Sequence, residues 1–208
     1  MKWLPRWPFR LRSDAIAHED AYCAGSYKPP RARPVRLVER QDWLLEEWLE
    51  NGGADRLRAN SFDREAIRVV YTWKTRANAA FDGGSAGVPE ELYSPEFGRA
   101  INQVLESRSD SEGVEAIRTL CTFPFVRVRV ASAFAYWLRP NDFQLIDRRS
   151  TEALDLGFMD ADYTPENYVR FCELSRDLGR AHALTLRQID RALLAYHKLI
   201  EAGYFLES

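Results

Sequence analysis

Apolar residues recur at intervals of three and four along most of the chain, and this spacing predicts helices rather than strands. Residues 39–51 are predicted to form a helix that ends at Gly52 and Gly53. A longer helix is predicted to follow, with Ser61 as its N-cap. Its apolar face consists of Phe62, Ala66, Val69, Val70, Trp73, Ala77 and Phe81.

Three later helices have clear signals at their first turns. Ser94 and Thr164 each precede a Pro-Glu pair, which combines an N-cap residue with a proline at the first helical position. Thr185 and Gln188 have the spacing of a capping box. We therefore predict an all-α fold of seven or eight helices, in a compact bundle that could divide into two lobes. The glycine-rich stretch 82–87 is the clearest loop.

Composition and length place this chain among ordinary folded proteins. Hydrophobic residues make up 46% of its 208 residues and charged residues 29%. No apolar run approaches the roughly 18 residues that a bilayer-spanning helix needs, and the N-terminus lacks the apolar stretch of a secretory signal. The three cysteines are far apart and form no CxxC pair. We expect a soluble cytoplasmic protein with reduced thiols and no contact with membranes.

Charge is distributed unevenly along the chain. Residues 1–36 contain eight basic side chains and three acidic ones, whereas the remainder contains 21 basic and 28 acidic ones. This basic arm, with Trp3, Trp7 and Phe9, could follow a phosphate backbone while its aromatic rings stack on bases. It could equally lie against the acidic body of the protein or stay disordered. Residues 37–208 are predicted to form a single helical domain, whose acidic balance argues against a broad nucleic-acid-binding surface.

The most informative stretch runs from residue 116 to residue 156. It predicts a helix that ends near Thr122, a short turn over residues 123–126, and a second helix that ends at residues 139–141. An apolar segment, residues 143–146, then leads to Asp147, and another helix is predicted to begin at Arg148.

This order of elements resembles the helix-hairpin-helix DNA glycosylase superfamily, which includes endonuclease III and 8-oxoguanine glycosylase. There the hairpin contains a Leu-Pro pair, and an apolar dipeptide followed by the catalytic aspartate comes later in the chain. Phe123-Pro124 corresponds to the Leu-Pro pair, and Leu145-Ile146-Asp147 to the apolar dipeptide and aspartate. Residues 71–75 take the place of an upstream helical signature. The resemblance covers residues 116–156 and implies a helix-hairpin-helix, double-stranded DNA as partner and a role in DNA repair.

This chain departs from the superfamily at three positions of the hairpin. Phe125 and Arg127 replace the two glycines that let the backbone approach a DNA phosphate. The side chain of Arg127 could supply a phosphate contact instead. Arg129 occupies the position of the lysine nucleophile of the strand-cleaving members, and an arginine cannot form a Schiff base. The resemblance therefore implies a glycosylase without lyase activity, and it implies no iron–sulfur cluster.

Asp147 is the candidate catalytic residue. In the superfamily the matching carboxylate stabilises the cationic sugar as the base departs, and Arg148 and Arg149 would favour its ionised form. Asp147 is also a good N-cap for the helix that begins at Arg148, so the residue can be a cap alone or a cap with a chemical role.

The remaining candidate residues surround this position in the resemblance. Arg127, Arg129, Arg148 and Lys74 are candidate nucleic-acid-binding residues, and Trp73 and Tyr136 are candidates for lining a base pocket. Trp73 and Tyr136 could instead belong to the core, and Lys74 is expected to lie off the apolar face and to be solvated. The sequence indicates no metal site and no cofactor.

Three hypotheses about function follow. The first is hydrolysis of the N-glycosidic bond of a damaged base by Asp147. The second is a catalytically inactive binding or regulatory protein on the same helical scaffold. The third is an unrelated helical interaction module, in which the likeness of residues 116–156 is coincidental.

Overall fold

The computed structural model describes residues 44–81 and 87–201, with side chains described for residues 44–75 and 87–197. The basic arm of residues 1–36, Cys23 and the loop 82–86 lie outside these ranges. The described residues form eight α-helices and no strand, so the all-α prediction is confirmed. The helices are α1 Ala54–Ala59, α2 Arg64–Phe81, α3 Pro95–Glu106, α4 Asp110–Leu120, α5 Val128–Leu138, α6 Arg148–Ala153, α7 Pro165–His182 and α8 Leu186–Glu201.

A short helical segment before α1 leads into a kink that the sequence predicted only in part. Residues 44–48 are helical, and the chain leaves helical geometry at Gly52, where φ is 106°. It then turns immediately into α1, a helix that we did not predict. Gly53 allows this close turn because a Cβ atom there would lie 2.2 Å from the ring of Trp48.

Local sequence signals place most of the other helix starts correctly. The side chains of Ser94 and Thr164 accept hydrogen bonds from Phe97 N and Asn167 N, and Thr185 and Gln188 form the predicted capping box. The prediction for Ser61 is wrong. Helix α2 begins three residues later, and the carboxylate of Asp63 accepts the hydrogen bond from Ala66 N at 2.9 Å.

Helix α5 lies at the centre of the bundle. Every residue of α5 except Arg129 is buried, and α1, α2, α3, α4 and α7 all pack against it. Phe134 of α5 meets Phe97 of α3 edge to face, with ring centroids 5.2 Å apart. One continuous hydrophobic core results, and α5 fixes the positions of the segments at its two ends. None of the described helices is long and apolar enough to cross a membrane.

Candidate functional site

Asp147 lies where a buried extended segment meets the start of α6. Residues 143–146 are buried and carry no regular secondary structure. The carboxylate of Asp147 accepts a hydrogen bond from Ser150 N at 2.9 Å, and Asp147 N donates to Ser150 Oγ at 3.0 Å. These reciprocal bonds form a capping box, so the predicted N-cap role of Asp147 is present. They also hold the carboxylate in one orientation.

The residue before Asp147 is tied to the central helix. Ile146 N donates to the hydroxyl of Ser132 at 3.3 Å, and that hydroxyl donates to Arg129 O at 2.8 Å. Ile146 and Ser132 are both fully buried. This link fixes Asp147 relative to α5, because Ile146 and Asp147 are adjacent residues joined by one peptide bond.

We expect Ser132→Ala to lower the free energy of unfolding by about 1–2 kcal/mol, because it leaves the buried Ile146 N–H without an acceptor. Chemical denaturation of the two proteins measures this difference. Thr119→Ala is the matched control, since Thr119 also donates to a carbonyl of its own helix but has no side-chain partner on another segment among the described residues. An equal, small effect of the two substitutions would show that Ser132 does not anchor the Asp147 segment.

Lys74 of α2 also contacts the segment that contains Ile146 and Asp147. Its Nζ donates to Ile146 O at 3.2 Å and lies 3.9 Å from Asp147 Oδ2. The side chain of Lys74 is 11% exposed and that of Asp147 is 36% exposed. The expectation that Lys74 is solvated is therefore wrong. Lys74 follows the buried residues Ala66 and Val70 at intervals of four, which places it on the buried row of the helix.

The two charges adjust each other's protonation. Burial lowers the pKa of Lys74, while the negative charges of Asp147 and Asp190 oppose that change. Burial would raise the pKa of Asp147, but the charge of Lys74 and the hydrogen bond from Ser150 N outweigh it, so the pKa lies below its ordinary value. Asp147 is therefore an ionised, oriented and partly exposed carboxylate at neutral pH. Such a group can stabilise a nearby cation or accept a proton from water.

Arg129 joins the start of α5 to the region around α6. Its guanidinium pairs with Asp160 at 2.8 Å and lies 4.0 Å from the ring centroid of Tyr163. The hydroxyl of Tyr163 lies 3.0 Å from Thr151 Oγ1 on α6. The positive charge of Arg129 also contributes to lowering the pKa of Lys74. The backbone of Arg129 is linked to the Asp147 segment through Ser132, whose hydroxyl donates to Arg129 O and accepts from Ile146 N.

The other candidate residues lie in three different environments. Arg127 is exposed at the N-cap position of α5 and forms no ion pair with the described residues. Arg148 is exposed and pairs with Glu152 at 2.5 Å. Trp73 is half-buried and meets Trp137 edge to face at 5.5 Å. Tyr136 lies in the core, where burial raises its pKa, and no face of its ring is available to a stacked base. The base-pocket candidate Tyr136 is therefore a core residue.

Sequence reasoning missed the contacts that orient Asp147. Lys74 was considered for DNA binding and not as a charge partner, although its spacing from Val70 indicates burial. Ser132 carries no sequence signal for its role, because its partner depends on the path of residues 143–147. Local periodicity cannot predict such contacts between segments.

Metal-binding and thiol chemistry have little support in the described part of the chain. No three His, Cys, Asp or Glu side chains among the described residues come together as metal ligands. Cys121 and Cys172 are free thiols, and burial raises their pKa values to about 11 and about 12. Comparison with known proteins finds no family model, no curated protein and no solved structure that matches this chain.

Proposed function

We propose that this protein hydrolyses the N-glycosidic bond of a damaged base in double-stranded DNA, as part of cytoplasmic DNA repair. The observation that carries the proposal is the Asp147 carboxylate, which is ionised, oriented by Ser150 N and paired with the buried Lys74. The side chain of Asp147 is 36% exposed, so its carboxylate can face a substrate while Ser150 N and Lys74 hold its position.

Hydrolysis of the N-glycosidic bond requires a negative charge close to C1′ of the sugar. When the bond between the base and C1′ of the sugar breaks, the electron pair leaves with the base and the sugar becomes an oxocarbenium-like cation. Asp147 would stabilise that cation, because an oriented charge acts without reorganisation during the reaction. Water then adds to C1′, and Asp147 can accept the proton that the water loses. Transfer of that proton to the departed base, directly or through solvent, restores the carboxylate and leaves the neutral free base and an abasic sugar as products.

Basic residues at the starts of two helices supply contacts for the DNA backbone. Arg127 precedes α5, and Arg148 and Arg149 begin α6, the helix that Asp147 caps. Arg129 cannot form a Schiff base with the sugar, so this mechanism does not cleave the strand through that residue. We expect Arg127 to bind phosphate through its side chain, since its guanidinium has no ion-pair partner among the described residues.

Base release from a panel of duplexes tests the proposal. Each duplex carries one damaged or mismatched base, and alkali treatment after incubation converts every abasic site into a strand break. We expect release from at least one duplex under single-turnover conditions, without strand cleavage before alkali. Absence of release from every duplex would contradict the proposal, whether or not the protein shows salt-dependent binding.

The second candidate function is a binding or regulatory protein that lacks catalysis. It is favoured by the capping box of Asp147, because that contact gives the carboxylate a structural role without any reaction. This hypothesis predicts binding to duplex DNA that weakens with salt and with Arg127→Ala, but no base release from any duplex. Absence of DNA binding would leave the third hypothesis, a helical interaction module.

A further inference from the structure

The turn between α4 and α5 has an unusual residue at its sharpest point. Val126 N donates to Phe123 O at 3.2 Å, which closes a four-residue turn with Pro124 and Phe125 in its middle. Phe125 has a φ of 63°. Proline restricts its own φ to about −65°, so this is a type II turn, whose third position requires positive φ and usually contains glycine. Phe125 is therefore held in a conformation that its side chain disfavours.

This strained residue adds nothing to the core. The side chain of Phe125 is 73% exposed. Phe123, two residues earlier, performs the packing role instead, because its ring lies edge-on to Phe97 at 5.0 Å. Strain that packing does not explain is a reason to look for a function of the side chain.

The surroundings of Phe125 favour an anionic partner. Arg127 is exposed two residues further along, and Arg129 follows at the first turn of α5. Residues 121–130 contain no acidic side chain. The turn leads into the start of α5, where Ser132 donates to Arg129 O and holds Ile146 beside Asp147, so the turn belongs to the end of α5 that carries the candidate site. The guanidinium of Arg129 is paired with Asp160, so Arg127 is the arginine available beside the ring. An exposed aromatic ring next to such a guanidinium is suited to stacking on bases while the guanidinium neutralises a backbone phosphate.

We propose that Phe125 is a wedge that inserts between base pairs of duplex DNA, while Arg127 contacts the adjacent phosphate. Apolar wedges that enter a base step unstack it and kink the duplex. The turn sets Phe125 apart from the core, so insertion of its ring requires no rearrangement of the helices. The inference rests on the proposed function for the identity of the partner, but it does not depend on the reactivity of Asp147.

Two substitutions separate a binding role from a structural one. Phe125→Gly removes the ring and the strain together, so we expect a melting temperature about 1–3 °C higher and duplex binding about tenfold weaker. Phe125→Tyr keeps an aromatic ring and should bind within about threefold of the wild type. Fluorescence anisotropy measures binding to a duplex with one abasic site. A 2-aminopurine base beside that site reports unstacking, which should occur with the wild type and not with Phe125→Gly.

The outcomes distinguish this inference from the proposed function. Equal binding by the wild type and Phe125→Gly, with base release intact, overturns the wedge and leaves the proposed function standing. If the wild type binds the duplex without releasing any base, and Phe125→Gly loses this binding, the result supports the wedge and contradicts the proposed function. A lower melting temperature of Phe125→Gly, or binding of the wild type to anionic vesicles but not to duplex DNA, overturns the wedge as well.

Discussion

Asp147→Asn is expected to slow base release by roughly 10²–10³-fold or more while duplex binding stays within a few-fold of the wild type. The amide keeps the size of the side chain but removes the negative charge that would face the oxocarbenium-like sugar. It also cannot accept a proton from the attacking water. Single-turnover release from the most reactive duplex of the panel measures the rate, and fluorescence anisotropy measures the binding.

The N-cap role of Asp147 makes this substitution a specific test. Asparagine caps helices about as well as aspartate, so the hydrogen bond from Ser150 N is retained. Asp147→Ala provides the comparison, since it removes both the charge and the cap and should cost about 1 kcal/mol of stability through the lost cap. A rate for Asp147→Asn close to that of the wild type would show that the carboxylate is only a cap, and another group would have to be sought.

The elements of this fold were predictable where the signal is local. Ser94, Thr164 and Thr185 cap helices as expected, because an N-cap contacts residues only two or three positions away. The prediction that Ser61 is an N-cap is wrong for an equally local reason. Two acceptable caps, Ser61 and Asp63, stand close together, and Asp63 has the added support of an ion pair with Arg56 at 2.9 Å.

The candidate site was predictable only in part, because its parts come from distant segments. The cap role of Asp147 follows from the residues beside it. Its contact with Lys74 joins positions 73 residues apart and depends on how α2 packs against α5. The positive φ of Phe125 was also missed, since an aromatic residue gives no sequence signal for that conformation.

The chemical proposal depends on how the charge of Lys74 is balanced. A buried ammonium is costly unless an opposite charge and hydrogen-bond acceptors surround it. Asp147 and Ile146 O supply these, and Asp190 adds a second negative charge. Lys74 is consequently part of the structure that supports Asp147, and its main effect is to keep the carboxylate ionised. Under the proposed function, contact with DNA would be made by arginines at the surface, such as Arg127.

Lys74→Met is expected to raise the pKa of Asp147, because burial then acts without the opposing charge of the ammonium. The acid limb of the pH profile of base release should therefore move to higher pH, so that the rate of release falls most on the acidic side of neutral. Loss of this pair should also lower stability by about 1–2 kcal/mol, a modest value since Asp147 is partly exposed. Lys74→Arg, which keeps the charge, should restore most of the rate.

The sign of the pH effect on stability follows from linkage. In the wild type the pKa of Asp147 lies below its ordinary value of 3.8, so between the two values the unfolded chain binds more protons than the folded protein. The stabilising contribution is present above that ordinary value and is lost as pH falls through the lower, folded-state pKa. In Lys74→Met that contribution is absent, and the partly exposed carboxylate lacks its cation. The difference in melting temperature between the two proteins should therefore be largest at neutral pH and should shrink as pH falls below 3.8. A difference that stays constant from neutral to acidic pH would show that Lys74 stabilises the fold without acting on the charge of Asp147.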